Sequence, residues 1–243
     1  MSRPSLLVVH GALGSAAQMQ PLVEAFEASQ RFASVRVIEL PGHGRTPLDA
    51  GTSFSMDRFA EVIADAAGDV RTTDGTPPVV FGYSMGGYAA LLLASRSPDT
   101  IAGLVTLGTM LRWSPEVAQQ AARRLDPAVI AAKVPAFADT LSKRHAEAGG
   151  WELVMQRTAA LLLGLGEAPP LTEAAFATVG CPIHLVVGEK DDSVTLADCE
   201  AAAALMPDAR TTMLPGVPHP IEKVPLDAMV TLMAGMVERS APR

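Results

Sequence analysis

The sequence has few cysteines, few charged residues and no long apolar run, and each shortage excludes a class of protein. The two cysteines, Cys181 and Cys199, are too few for a disulfide framework and lack the spacing of metal ligands. Charged residues make up 19% of the 243 residues and apolar residues 49%, which excludes a disordered chain and allows a sizeable core.

Membrane and nucleic-acid functions are also disfavoured. The longest apolar runs, such as residues 6–9 and 161–163, fall far short of the ~20 residues that cross a bilayer. The first run is too short for a signal-peptide core, and no small-residue cleavage site follows it, so we expect a cytoplasmic protein without membrane contact. The net charge is −7, and an excess of acidic residues disfavours binding to nucleic-acid phosphates.

Short runs rich in Val, Ile and Leu alternate with longer amphipathic segments, which is the pattern of a parallel sheet covered by helices. The runs show little polar alternation, as expected for strands buried on both faces. Strands are predicted at residues 6–10, 35–40, 78–82, 101–107 and 183–188, with a shorter one near 210–214. Helices are predicted at residues 18–28, 56–69, 86–95, 196–206 and 220–237.

One segment, residues 111–178, contains no strand-like run. Its sequence is helix-like and is punctuated by prolines such as Pro115, Pro127 and Pro135. Between Arg112 and Arg157 basic residues outnumber acidic ones by seven to five, whereas acidic residues prevail in the rest of the chain. We therefore predict one core, residues 1–110 and 179–243, with a helical insertion at 111–178.

The strongest chemical signal is the segment Gly-Tyr-Ser-Met-Gly-Gly at residues 82–87. It directly follows a predicted strand and precedes a predicted helix, which is the context that a G-x-S-x-G nucleophile elbow requires. Such a turn is too tight for side chains at the two flanking glycines, and it raises the serine above the sheet at a helix N-terminus. G-x-S-x-G alone is common in glycine-rich proteins, but these flanks favour Ser84 as a nucleophile.

A serine nucleophile needs a base and an acid that orients the base. His219 follows the last predicted strand and precedes the last predicted helix; an isolated loop histidine is ordinarily a solvated surface residue, but the order serine, acid, histidine favours a catalytic base. Glu189, Asp191 and Asp192 all follow the strand at 183–188, and position alone does not separate them. We prefer Asp191, with Asp192 as its main rival.

An oxyanion hole needs two backbone N–H donors. The first candidate is Met85, which follows the nucleophile, and the second is Ala12, or alternatively Leu13, in the glycine-rich loop after the first strand. That loop lacks the G-x-G-x-x-G spacing of a dinucleotide site. Because nucleophile, base and donors are all protein groups, we expect no metal and no organic cofactor.

Together these motifs resemble the α/β-hydrolase superfamily. The resemblance rests on segments in the family's order: HGALGS at 10–15, LPGHGRT at 40–46, GYSMGG at 82–87, GEKD at 188–191 and PHP at 218–220. It implies a mostly parallel sheet of about six strands, without the family's usual first two, with helices on both faces and a short helical cap at 111–178. It also implies that the Gly-x-x-Asp spacing supplies the acid at Asp191, and that His43 is structural.

The same resemblance narrows the chemistry. Haloalkane dehalogenases and epoxide hydrolases carry Asp where this chain has Ser84, whereas small esterases, enol-lactonases and a menaquinone-pathway lyase share the serine pattern. That lyase branch usually has Arg after its Gly-Gly, and here the position is Tyr88. Basic residues of the insertion either meet an acidic substrate or form a solvated face: Arg112, Arg123, Arg124, Lys143 and Arg144.

We therefore predict a serine hydrolase whose partner is a small-molecule ester or lactone. A lyase acting on a carboxylated metabolite and a non-catalytic ligand-binding protein of the same fold are the alternatives. The weaker candidates for substrate contact are Leu13, Tyr83, Arg112, Trp113 and Trp151. The acyl group, the alcohol and the oligomeric state are not predicted.

Overall fold

A computed structural model of the protein describes residues 3–48 and 53–241. Its centre is a sheet of six parallel strands in the order β2-β1-β3-β4-β5-β6, which confirms the predicted α/β-hydrolase fold. The strands are β1 (Leu6–Val9), β2 (Val35–Ile38), β3 (Val79–Tyr83), β4 (Gly103–Leu107), β5 (Ile183–Lys190) and β6 (Ala209–Pro218).

Helices cover both faces of this sheet, so its central strands β1, β3 and β4 are buried along their whole length. Side chains alternate between the faces: Leu7 and Val9 join one apolar cluster, and Leu6 and Val8 the other. The helices are α1 (Gln20–Ala28), α2 (Met56–Asp74), α3 (Met85–Arg96), α4 (Pro115–Arg123), α5 (Pro127–Lys133), α6 (Pro135–Arg144), α7 (Trp151–Glu167), α8 (Glu173–Ala177), α9 (Leu196–Ala203) and α10 (Leu226–Arg239). No helix within the described ranges is long and apolar enough to cross a membrane.

Three elements have the predicted boundaries that differ most from the structure. Helix α2 continues five residues beyond the predicted end at 69, to Asp74, and the next residue, Gly75, has a φ of 75°, the left-handed conformation that ends helices. The last helix begins at Leu226 and not at 220, since Pro225 precedes it and the chain from Ile221 to Lys223 forms a separate 3-10 turn. The last strand was predicted near 210–214 but extends from Ala209 to Pro218, which makes it the longest of the described strands. It lies at the sheet edge, where its Pro215 is tolerated.

The chain between β4 and β5 is helical, from α4 to α8. Part of it has an apolar cluster of its own, in which Leu141, Trp151, Val154 and Met155 pack on Leu13 of the loop after β1. This cluster attaches the insertion to the loop that carries the predicted oxyanion donor. We propose, as the sequence suggested, that residues 111–178 are a cap on a core of residues 1–110 and 179–243.

Candidate active site

Ser84 occupies the turn between β3 and α3. Its backbone has φ 50° and ψ −115°, a conformation rare for a residue with a side chain and worth about 1–3 kcal/mol of strain. The neighbouring strand holds the turn in place: the Ser84 N–H donates to the Leu107 carbonyl at 2.8 Å, and the Thr109 hydroxyl donates to the Ser84 carbonyl at 3.0 Å. These two hydrogen bonds therefore hold the strained backbone of Ser84 in its conformation.

The glycines of the predicted elbow are sterically required. A Cβ atom on Gly82 would lie 2.5 Å from the Gly87 Cα, and one on Gly86 would lie 2.4 Å from the His10 carbonyl oxygen. Both obstacles are backbone atoms, which cannot rotate away. The glycine spacing in the sequence thus reflects close packing of the turn on itself and on β1.

His219 and Asp191 form a hydrogen-bonded pair. The distance from His219 Nδ1 to Asp191 Oδ2 is 2.7 Å, and the side chains are 25% and 1% exposed. Asp191 Oδ1 accepts backbone N–H groups from Ser193 at 2.8 Å and Val194 at 3.1 Å. Because a carboxylate accepts, Nδ1 carries the proton in the neutral imidazole, and Nε2 is left as the free acceptor.

The other two acidic candidates have different partners. The Asp192 carboxylate is 73% exposed and pairs with Arg124 at 3.3 Å. Glu189 accepts the backbone N–H of Gly216 at 2.7 Å. Of the three residues that the sequence left open, Asp191 is therefore the one that contacts His219.

A cavity of about 560 Å³ brings the predicted residues together. Ser84, Met85, Ala12 and His219 all line it. No hydrogen bond among the described residues joins the Ser84 hydroxyl to the His219 ring, as is common in ligand-free catalytic sites. Much of the remaining lining is apolar: Met56, Met110, Leu111, Trp113, Val117, Leu125, Leu162 and Val194.

The weaker candidates for substrate contact divide into two groups. Arg112 and Trp113 line the cavity; Arg112 lies 3.7 Å from Asp198. Leu13 and Trp151 pack in the apolar cluster of the insertion instead. Tyr83 lies behind the site, where its hydroxyl donates to the His219 carbonyl at 3.0 Å and burial raises its pKa.

The basic residues of the insertion also separate. Arg124 lines the cavity beside Arg112, and each guanidinium faces an aspartate. Arg123 and Lys143 are exposed and do not line it, and Arg144 points to the loop after β1. Tyr88, at the position where the lyase branch has Arg, lines the cavity, and burial raises its pKa to about 12.

Sequence reasoning missed a buried residue that orients the loop after β1. His10 Nε2 accepts the Leu40 N–H at 3.0 Å, so Nδ1 is the protonated nitrogen and donates to the Gly11 carbonyl at 2.8 Å. The Gly14 N–H donates to the same carbonyl at 3.1 Å. In a planar trans peptide the N–H points away from the carbonyl, so these bonds fix the direction of the Ala12 N–H. The strand-end position of His10 was the available signal.

Two further histidines pack beside His10 and complete a fully buried cluster. The ring of His43 lies 5.2 Å from that of His10 and 5.9 Å from that of His145, and it stacks on Phe54. His43 Nε2 has no hydrogen-bond partner among the residues that the structure describes, and burial, together with the two neighbouring histidines, holds the pKa of His43 well below its usual range. His43 does not line the cavity.

Comparison with known proteins identifies the family. The chain belongs to the alpha/beta hydrolase family, whose sequence pattern matches residues 6–232, and this confirms the resemblance. Over 96% of its length the chain is 28% identical to the pimeloyl-[acyl-carrier protein] methyl ester esterase of Aromatoleum aromaticum, of which it covers 98%. A thermophilic esterase from Thermogutta terrifontis shares the fold, with a TM-score of 0.73, 22% identity, and coverage of 99% of this chain and 92% of that one.

A second group of relatives matches part of the chain. The chain is 31% identical over 43% of its length to 2-succinyl-6-hydroxy-2,4-cyclohexadiene-1-carboxylate synthase of Salmonella paratyphi C. The match spans 38% of that protein's own length. Esterases and this synthase are thus both among the similar proteins.

Proposed function

We propose that the protein is a serine hydrolase that cleaves a small carboxylic ester or lactone through an acyl-enzyme on Ser84. The observation that carries the proposal is the 2.7 Å bond between His219 and the buried Asp191, at a cavity that Ser84 also lines. The buried carboxylate selects the tautomer whose free nitrogen can accept a proton from a serine hydroxyl. Full-length similarity to a methyl ester esterase supports the same chemistry.

The reaction follows from these positions. His219 Nε2 takes the Ser84 hydroxyl proton as the oxygen attacks the substrate carbonyl, and Asp191 stabilises the imidazolium. The backbone N–H groups of Met85 and Ala12 stabilise the oxyanion; the former is free because the first N–H groups of a helix have no intrahelical acceptor. His219 then protonates the leaving alkoxide, and water, deprotonated by the same histidine, hydrolyses the acyl-enzyme. No cofactor is needed.

The lining of the cavity supports an apolar acyl group of modest size. Met56, Met110, Trp113 and Leu162 offer thioether, indole and aliphatic surface in the cavity of about 560 Å³ that Ser84 also lines, and burial of apolar surface contributes about 25 cal/mol per Å². We therefore expect short and medium acyl chains to be preferred over long ones.

Hydrolysis of p-nitrophenyl esters, from acetate to octanoate, tests the proposal. We expect turnover that peaks at a short or medium chain and a Ser84→Ala variant that keeps its fold but loses about 10³-fold or more in kcat. Equal turnover by wild type and Ser84→Ala would contradict the proposal. Tight ligand binding without any acyl-enzyme detectable by mass spectrometry would instead favour a ligand-binding protein.

One observation favours a lyase acting on a carboxylated metabolite as the second candidate. Arg112 and Arg124 line the cavity, and part of the chain is similar to a synthase whose name describes a carboxylate. Both guanidiniums already face an aspartate, however, which weakens this alternative. If it holds, Arg124→Glu raises KM for a carboxylated substrate at least tenfold and leaves an uncharged ester unaffected; equal KM values exclude it.

A further inference from the structure

The loop after β1 contains a strained residue directly after the proposed oxyanion donor Ala12. Leu13 has φ 56°, in the left-handed region that costs a residue with a side chain about 1–2 kcal/mol. Its side chain is buried, and its carbonyl oxygen accepts two hydrogen bonds from the insertion: one from Arg144 Nη1 at 2.7 Å and one from His145 Nε2 at 3.0 Å. Both lone pairs of this carbonyl are therefore occupied by donors from the end of α6.

The two donors are themselves held in place. The Gly44 N–H donates to His145 Nδ1 at 2.9 Å, which fixes the neutral tautomer with its proton on Nε2, the nitrogen that faces Leu13. The His145 ring is fully buried. Arg144 is mostly buried and also lies 4.0 Å from Glu222, three residues after His219. This pair thus contacts both loops that border the site.

We propose that Arg144 and His145 are positioning residues, which hold Leu13 in its left-handed conformation and thereby keep the Ala12 N–H directed at the oxyanion. The inference rests on the proposed hydrolase function and deepens it. Leu13 is flanked by the peptide units 12–13 and 13–14, and the second of these carries the Gly14 N–H that donates to the Gly11 carbonyl at 3.1 Å. The Ala12 N–H shares its peptide unit with that carbonyl, so relaxation of the φ and ψ of Leu13 would move the Gly14 N–H and misdirect the Ala12 N–H. The oxyanion hole would then be complete when the insertion is docked on the core.

Kinetics of single variants test this assignment. Arg144→Met keeps the aliphatic stem but removes one donor, and His145→Phe keeps a ring but removes the other. We expect kcat for the preferred p-nitrophenyl ester to fall about ten- to hundredfold, with KM within about twofold. The reason is that the Ala12 N–H stabilises the transition state and not the bound ester. His145→Gln retains an N–H donor and should recover most of the lost kcat.

Glu147→Gln is the matched control. Glu147 belongs to the same end of the insertion and pairs with Arg45 across an exposed contact, 3.2 Å long, that does not involve Leu13. We expect wild-type kcat from this variant. Its thermal midpoint also calibrates how far a lost contact between insertion and core affects stability alone.

Affinity for phenylboronic acid, which forms a charged tetrahedral adduct on an active-site serine, provides the second readout. We expect its Ki to rise in Arg144→Met by about the factor lost in kcat, because both states need the oxyanion donors. Should His145→Phe fail to fold, Arg144→Met alone carries the test. Ser84-dependent turnover with unchanged kcat and Ki in the variants would overturn this inference and leave the hydrolase proposal standing. Absence of Ser84-dependent turnover in the wild type would overturn both.

Discussion

At the residue scale, two adjacent carboxylates have opposite environments. The Asp191 side chain is 1% exposed and accepts from His219 and two backbone N–H groups, whereas that of Asp192 is 73% exposed and faces Arg124. The chain turns at this point, where the Asp191 N–H donates back to the Gly188 carbonyl at 3.1 Å, and the side chains of Asp191 and Asp192 point in different directions. Chain position alone could not distinguish these residues, but the direction of their side chains does.

This difference gives the first residue-scale prediction. Asp191→Asn would favour the wrong tautomer of His219, and we expect kcat to fall about 10³- to 10⁴-fold while the protein stays folded. Asp192→Asn removes one exposed ion pair, so its kcat should stay within about twofold of the wild type. Steady-state ester hydrolysis by the two variants, side by side, measures both effects. The reverse ranking would assign the acid to Asp192.

At the element scale, glycines within helices differ in what surrounds them. Gly68 lies in α2, where an added Cβ would have no described atom within 4 Å apart from its own stretch of the helix. The Cβ of an alanine at position 86 in α3 would instead lie 2.4 Å from the His10 carbonyl oxygen. In α2 the glycine therefore carries a conformational cost without a packing benefit. In α3 the same residue type allows close approach of the helix to β1.

We therefore predict opposite effects of one substitution in two helices. Gly68→Ala should raise the free energy of unfolding by about 0.5–1 kcal/mol, because alanine loses less conformational entropy on helix formation. Gly86→Ala should lower that free energy and reduce kcat, since the helix must move away from the strand end. Urea unfolding monitored by circular dichroism measures both changes. A stabilising Gly86→Ala would refute the steric argument for the elbow.

The elements also show how far sequence reasoning reached. All six strands of the sheet were predicted, and for β1, β3 and β4 the signal was an uninterrupted apolar run, because buried parallel strands need no polar alternation. The extent of β6 was underestimated because Pro215 and Gly216 look like a turn, although an edge strand tolerates both. The elbow could be predicted because its residues are contiguous. The contact between Arg144 and Leu13 could not, since it joins positions 131 residues apart.

At the scale of the whole molecule, histidines connect three regions. His10 belongs to the end of β1, His43 to the loop after β2 and His145 to the insertion, and their rings pack together without exposure to solvent. Burial is the main cause that lowers the pKa of both His43 and His145. The neighbouring His10 and His145 lower the pKa of His43 further, and the Arg144 guanidinium lowers that of His145 further. The interface between insertion and core therefore favours the neutral form of His43 and His145.

The last prediction concerns the pH dependence of stability. An unfolded histidine binds a proton below about pH 6.5, whereas folded His43 does so only at much lower pH, so the unfolded state binds more protons in this range. The free energy of unfolding should therefore fall as pH decreases from about 6.5 to 5, by up to about 1.4 kcal/mol per pH unit for each such histidine. His43→Gln should reduce that slope by about one histidine's share. Urea titrations of both proteins at several pH values, with m-values compared, measure the difference; parallel stability curves would show that His43 is protonated in the folded state as easily as in the unfolded one.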